Sequence, residues 1–96
     1  MADSPIGMMM SFTVVWNRTA ESRLAEIWLE SSQRAGVTDA ANAIDCELRR
    51  SPETVGESRS GEERIAIVPP LAIHFTVEVA DRIVRVLSVH AADKEA

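Results

Sequence analysis

Leu71, Ile73, Phe75, Val77 and Val79 alternate with Ala72, His74, Thr76 and Glu78. A period of two marks a strand with one buried face and one mixed face. Val79-Ala80-Asp81-Arg82 is short enough only for a tight reversal. The run after it, Ile83 to Val89, is apolar on both sides. Ile83, Leu87 and Val89 fall on one face and Val84 and Val86 on the other, which predicts a strand interior to the sheet. Pro69-Pro70 separates this pair from an earlier strand, Arg64 to Val68. Proline cannot donate to a ladder, so the two prolines mark a corner.

Upstream, Ser11 to Trp16 reads as a first strand, with Phe12, Val14 and Trp16 on one face. Asn17 or Thr19 can cap the helix that follows. That helix is predicted from Ala20 to Ala35, because Ala20, Leu24, Ile27, Trp28, Ser31 and Ala35 trace one side of a 3.6-residue period. Gly36 is expected to end it as a left-handed cap. Thr38 or Asp39 then opens a second helix to Arg50, with Val37, Ala41, Ile44 and Leu48 inward, and Ser51-Pro52 stops it. Residues 53–63 are polar, with room for a short irregular strand. The fold class is therefore α+β: a two-layer β-α-α-β(β)ββ arrangement, an antiparallel sheet covered on one face by a helical hairpin. Trp28 is assigned to the core, where truncation to alanine costs about 3–5 kcal/mol; a solvent-facing Trp28 would contradict that register and the fold read from it.

One core accounts for the 96 residues. Residues 1–10 carry Pro5 and Gly7 and no periodicity, and are expected to be a disordered lead; translation could begin at Met8, Met9 or Met10. The domain is expected to span 11–91, with 92–96 a frayed tail. Its net charge of −5 argues against a general binder of nucleic-acid phosphates. No direct sequence-specific DNA binding is expected. No apolar run is long enough for a membrane span, and no charged-then-apolar leader opens the chain. With the single Cys46, these features lead to an expectation of a cytoplasmic protein.

No phosphate loop, zinc spacing or nucleophile elbow is present, and no cofactor is implied. His74 and His90 lie on neighbouring strands without companion residues spaced for a metal. Arginines carry more information, because a guanidinium suits bidentate contacts with carboxylate or phosphate. Arg59 and Arg64 flank the polar loop, Arg49 and Arg50 end the second helix, and Arg82 and Arg85 stand at the last strand.

The order of these segments resembles the RelE/ParE family of toxins from bacterial type II toxin–antitoxin systems, a group that includes plasmid-stabilisation proteins. The resemblance rests on SFTVVW, TAESRLAEIWLES, a second helix ending LRRSP, the stretch VGESRSGEERIAIVPPLAIHF, and VRVLSVH. It implies a sheet in which the first strand lies beside the last, and a cognate antitoxin as partner. One branch of the family acts by binding DNA gyrase; another cleaves messenger RNA on the ribosome. For the second activity Arg64 and His90 match family positions, and they are the candidate catalytic pair; Arg59, Arg64, Arg82 and Arg85 are the candidate binding set. Several positions depart from the nuclease pattern. An arginine common on the strand after Arg64 is Ala72 here, Phe75 stands where tyrosine is usual, and Ala91 and Ala92 follow His90 in place of basic residues. The chain has no tyrosine, and its one lysine, Lys94, lies in the tail. These departures and the charge of −5 favour the gyrase-binding type, the first expectation, and a non-toxic interaction module over the other alternative, a ribosome-dependent endoribonuclease.

Overall fold

A computed structural model describes residues 11–59 and 61–92. The predicted lead falls outside the described residues, as does most of the predicted tail. The elements are β1 (Thr13–Trp16), α1 (Arg18–Glu30), α2 (Arg34–Arg50), a 3-10 turn (Pro52–Thr54), β2 (Glu57–Ser58), β3 (Glu63–Val68), β4 (Leu71–Glu78) and β5 (Ile83–Ala91). They form one five-stranded sheet, ordered β1-β5-β4-β3-β2. The first strand does lie beside the last, but β1 and β5 run parallel while the other pairs are antiparallel, so the sheet is mixed.

The strand that alternates most cleanly in sequence does so in space. Leu71, Ile73, Phe75 and Val77 are buried, and the residues between them are half-buried. Val79 is not part of this face: the strand ends at Glu78, and Val79 stands exposed in the turn. As predicted, β5 is interior, but its faces are divided differently. His74 pairs with Ser88 and Phe75 with Val86, so Leu87 is an extra residue on β5, a bulge. The bulge resets the alternation. Val84, Val86 and Val89 all end on the buried face, while Ile83 and Leu87 are only half-buried.

Asn17 caps α1 as expected, its Oδ1 accepting from the Ala20 N–H at 2.8 Å. The far end of the helix departs from the sequence reading. It stops at Glu30 with Ser31 as cap, and Gly36 lies inside α2. Two local contacts explain the early stop. The Ser31 hydroxyl accepts the Gln33 N–H at 2.8 Å, and the Arg34 guanidinium donates to the carbonyls of Trp28 and Leu29 at 3.0 and 2.8 Å. The helix-end carbonyls are thereby satisfied without a left-handed glycine. Ala35 consequently belongs to α2, and neither Thr38 nor Asp39 is its cap.

Ala20 and Ile27 are buried, and Leu24 packs against the same core. Trp28 lies one step further round the helix and is 39% exposed, so its assignment to the core was wrong. Its indole Nε1–H donates to Thr38 Oγ1 at 3.1 Å, and the Arg34 guanidinium lies 4.8 Å from the ring centroid. The tryptophan thus ties α1 to α2 from outside. The fold does not depend on it: Val37, Ala40, Ile44 and Leu48 of α2 complete the core against the sheet.

Candidate functional site

Both helices lie on one face of the sheet. Alternation places His74, Thr76 and Glu78 of β4 on the other, open face, together with Glu63, Ile65 and Ile67 of β3 opposite them. From β5, Arg85 stands opposite Thr76, Ser88 opposite His74, and His90 opposite Ala72. From β1, Val15 stands beside Arg85. The two helices leave this face uncovered, and His74, His90, Arg59 and Arg85 bear on it.

Arg64 does not. It pairs with Phe75, which is fully buried, so its side chain leaves on the helix side of the sheet. There Nε donates to the Val55 carbonyl at 3.0 Å and Nη2 to the Gly56 carbonyl at 3.1 Å. The guanidinium is a clamp on the loop before β2. Gly56 explains why the loop needs one: it has φ +68, and a Cβ there would sit 2.1 Å from the Ile65 carbonyl oxygen. The backbone passes so close to β3 that only glycine fits. His90 is exposed on the open face. The two candidate catalytic residues therefore share a sheet but stand on opposite faces of it.

The other arginines have separate surroundings. Arg85 donates to Glu78 Oε2 at 2.9 Å across the open face. Arg82 is in the β4–β5 turn, at φ 55, with its guanidinium 5.7 Å from the Phe12 ring centroid. The Arg59 side chain is exposed, and its N–H donates to the Glu63 carbonyl at 2.8 Å. Arg49, at the end of α2, is hydrogen-bonded to Asp45 at 2.8 Å, and that bond holds its pKa above the ordinary value.

One pair escaped the sequence reading. His74 Nε2 and Glu63 Oε1 are 3.1 Å apart on the open face, beside a depression of about 400 Å3 that Arg59 and Ile65 also line. A carboxylate on one ring nitrogen fixes the imidazole and leaves Nδ1 available for proton transfer or a hydrogen bond. The alternation of β4 could have shown that His74 faces solvent. Its partnership with Glu63 required the register across the Pro69-Pro70 corner. On the open face Glu63 and Glu78 are matched in number by Arg59 and Arg85, so its formal charge nearly balances. Among the described residues no three metal-ligating side chains converge.

Another opening is between the helices. Leu24, Ala25, Trp28, Val37 and Ala41 line a mainly apolar groove of about 510 Å3, and nearby Leu29 is 60% exposed.

No protein-family model matches the sequence, and neither does any curated protein. Solved structures do match the fold. One is the Mycobacterium tuberculosis toxin–antitoxin complex RelBE2, with a TM-score of 0.71 and 20% identity, covering 88% of this chain and 97% of the other. Another is the chromosomal ParDE toxin–antitoxin system of P. aeruginosa, with a TM-score of 0.65 and 14% identity, covering 88% and 99%. A third is TrmO, also from P. aeruginosa, with a TM-score of 0.58 and 21% identity; it covers 95% of this chain but only 36% of that one. The toxin–antitoxin chains are matched nearly end to end, whereas TrmO is matched over a part. The protein has a RelE/ParE-type toxin fold. At these identities the likeness establishes architecture, and function has to be argued from the site.

Proposed function

We propose that this protein is the toxin-like component of a type II toxin–antitoxin system, of the ParE kind, that binds a protein target of the gyrase class and is neutralised by a cognate antitoxin. The observation that carries the reading is the fate of Arg64. A ribonuclease of this fold would need a cation and an acid–base group beside the same phosphate. Here Arg64 is bonded to two loop carbonyls on the helix side, while His90 is on the other face. The open face is close to neutral, which suits a protein surface better than an RNA backbone. An antitoxin segment would find purchase in the groove beside Leu29 and Trp28, and along residues 53–68, where Ile67 is 65% exposed. The test is induced expression in a bacterium, with and without the adjacent reading frame. Growth arrest that the neighbour relieves, by a product that co-purifies, is expected. If there is no arrest but a partner still co-purifies, the protein is a non-toxic interaction module, and the toxin assignment falls.

One observation favours a second reading, a ribosome-dependent endoribonuclease. Glu63–His74 is a fixed acid–base pair, and His90 is its diagonal neighbour across β4 and β5, with Arg59 and Arg85 on the flanks. That reading moves the chemistry from Arg64 to His74. Message cleavage abolished by His74→Ala would establish it.

A further inference from the structure

Glu63 lies between Arg59 and His74 on the open face, and it is bonded to His74. The β2–β3 register pairs Glu57 with Ile65 and Ser58 with Arg64. The next step sets Arg59 opposite Glu63, where the Arg59 N–H donates to the Glu63 carbonyl at 2.8 Å. Side chains opposite one another in a ladder leave on the same face, with Cβ atoms about 5 Å apart. Arg59 and Glu63 are thus neighbours, and both line the depression beside His74. The carboxylate nevertheless goes the other way, with Oε1 3.1 Å from His74 Nε2. Among the described residues the Arg59 guanidinium has no ion pair. The remaining charges nearby have other partners or stand further out. Glu78 is bonded to Arg85 at 2.9 Å. Ile65 and Ser88 flank His74 across the ladder, and His90 is the next residue of that face along β5. Exposed Glu57, opposite Ile65 at the sheet edge, and exposed Glu62 in the turn are rival acceptors for Arg59.

We propose that Glu63 is a two-position carboxylate, and that the charge on His74 decides whether Arg59 is free to take a carboxylate from a partner. Imidazole changes charge between about pH 5 and 8, whereas a guanidinium stays charged throughout. At the acid end the imidazolium holds Glu63 by an ion-paired hydrogen bond, and Arg59 projects unpaired. At the alkaline end the imidazole is a neutral donor and its hold on Glu63 is weaker. The permanent cation opposite then draws the carboxylate, and Arg59 is capped. A change of Glu63 rotamer suffices, because both partners flank it on one face and the backbone ladder is not altered. Each contact is open to water, so the preference either way is a few-fold. The consequence for a partner rests on the reading of the open face as a protein-binding surface; the switch itself belongs to the free chain.

Hydrogen exchange at the arginine Nε–H groups, followed by carbon-detected NMR on the full chain, tests it. Arg85, whose Nε is fixed to Glu78, is the reference, and it cancels the general acceleration of exchange with pH. Arg59 should exchange about threefold faster than Arg85 at about pH 5.5 and draw level with it by about pH 8. In Glu63→Gln, Arg59 should stay the faster at both pH values. In His74→Gln the ratio should not change with pH. Both substitutions are on the solvated face, so amide spectra should report an unchanged fold. A wild-type ratio that does not move over this range overturns the proposal. So does one that moves equally in Glu63→Gln, which makes Glu57 or Glu62 the acceptor, or in His74→Gln, which removes the imidazole as the trigger. No partner enters the measurement, so these outcomes leave the toxin reading untouched, and an absence of growth arrest leaves the switch standing.

Discussion

Replacing Arg64 with alanine separates a structural arginine from a catalytic one. The wild-type side chain makes two charge-assisted hydrogen bonds, to the carbonyls of Val55 at 3.0 Å and Gly56 at 3.1 Å. The first is partly buried, and a bond of that kind to a charged group contributes about 1.5–3 kcal/mol. The second is exposed and competes with water, so about 0.5–1 kcal/mol is reasonable for it. Their loss also releases the turn at Gly56, which holds β2 against β3. The expected cost is about 2–4 kcal/mol, and in a domain of this size that lowers Tm by roughly 10 °C or more. Arg64→Lys keeps the charge but not the two-pronged reach, and should fall between. Thermal unfolding followed by circular dichroism measures both. An Arg64→Ala protein that melts within about 2 °C of wild type would refute the clamp, and Arg64 would again be available for chemistry.

In a urea titration, Trp28→Ala should cost only about 1 kcal/mol, since a stacked arginine and one exposed hydrogen bond are lost rather than core volume; Phe75→Ala, at a fully buried position, should cost about 3–5 kcal/mol in the same titration. Gly56→Ala must move a Cβ that would stand 2.1 Å from the Ile65 oxygen. It should lower Tm and strip hydrogen-exchange protection from the β2–β3 pairing, and unchanged exchange there would contradict the close approach.

Positions governed by a local rule were legible in the sequence, and those governed by a distant partner were not. Period-two alternation placed Leu71, Ile73, Phe75 and Val77 inward, and the run Ile83–Val89 was correctly taken for an interior strand. Asn17 was correctly named as a possible cap. Alternation is indifferent to strand direction, however, so the parallel pairing of β1 with β5 left no mark on it. The bulge at Leu87 is a register event between two strands, and it moved Val89 to the face of Val84 and Val86. At the helical turn, glycine's usual role outweighed the Ser31 hydroxyl and the reach of Arg34, which end α1 well before Gly36. The arginines were visible as residues but not as contacts. Nothing in the local sequence says that Arg64 turns toward the loop or that Glu63 meets His74.

Mapping cellular message ends during induced expression tests the central claim most directly. The account predicts growth arrest with messages intact on the ribosome, in wild type and in His90→Ala alike. Arrest accompanied by new, codon-positioned message ends that vanish in His74→Ala or His90→Ala would contradict it.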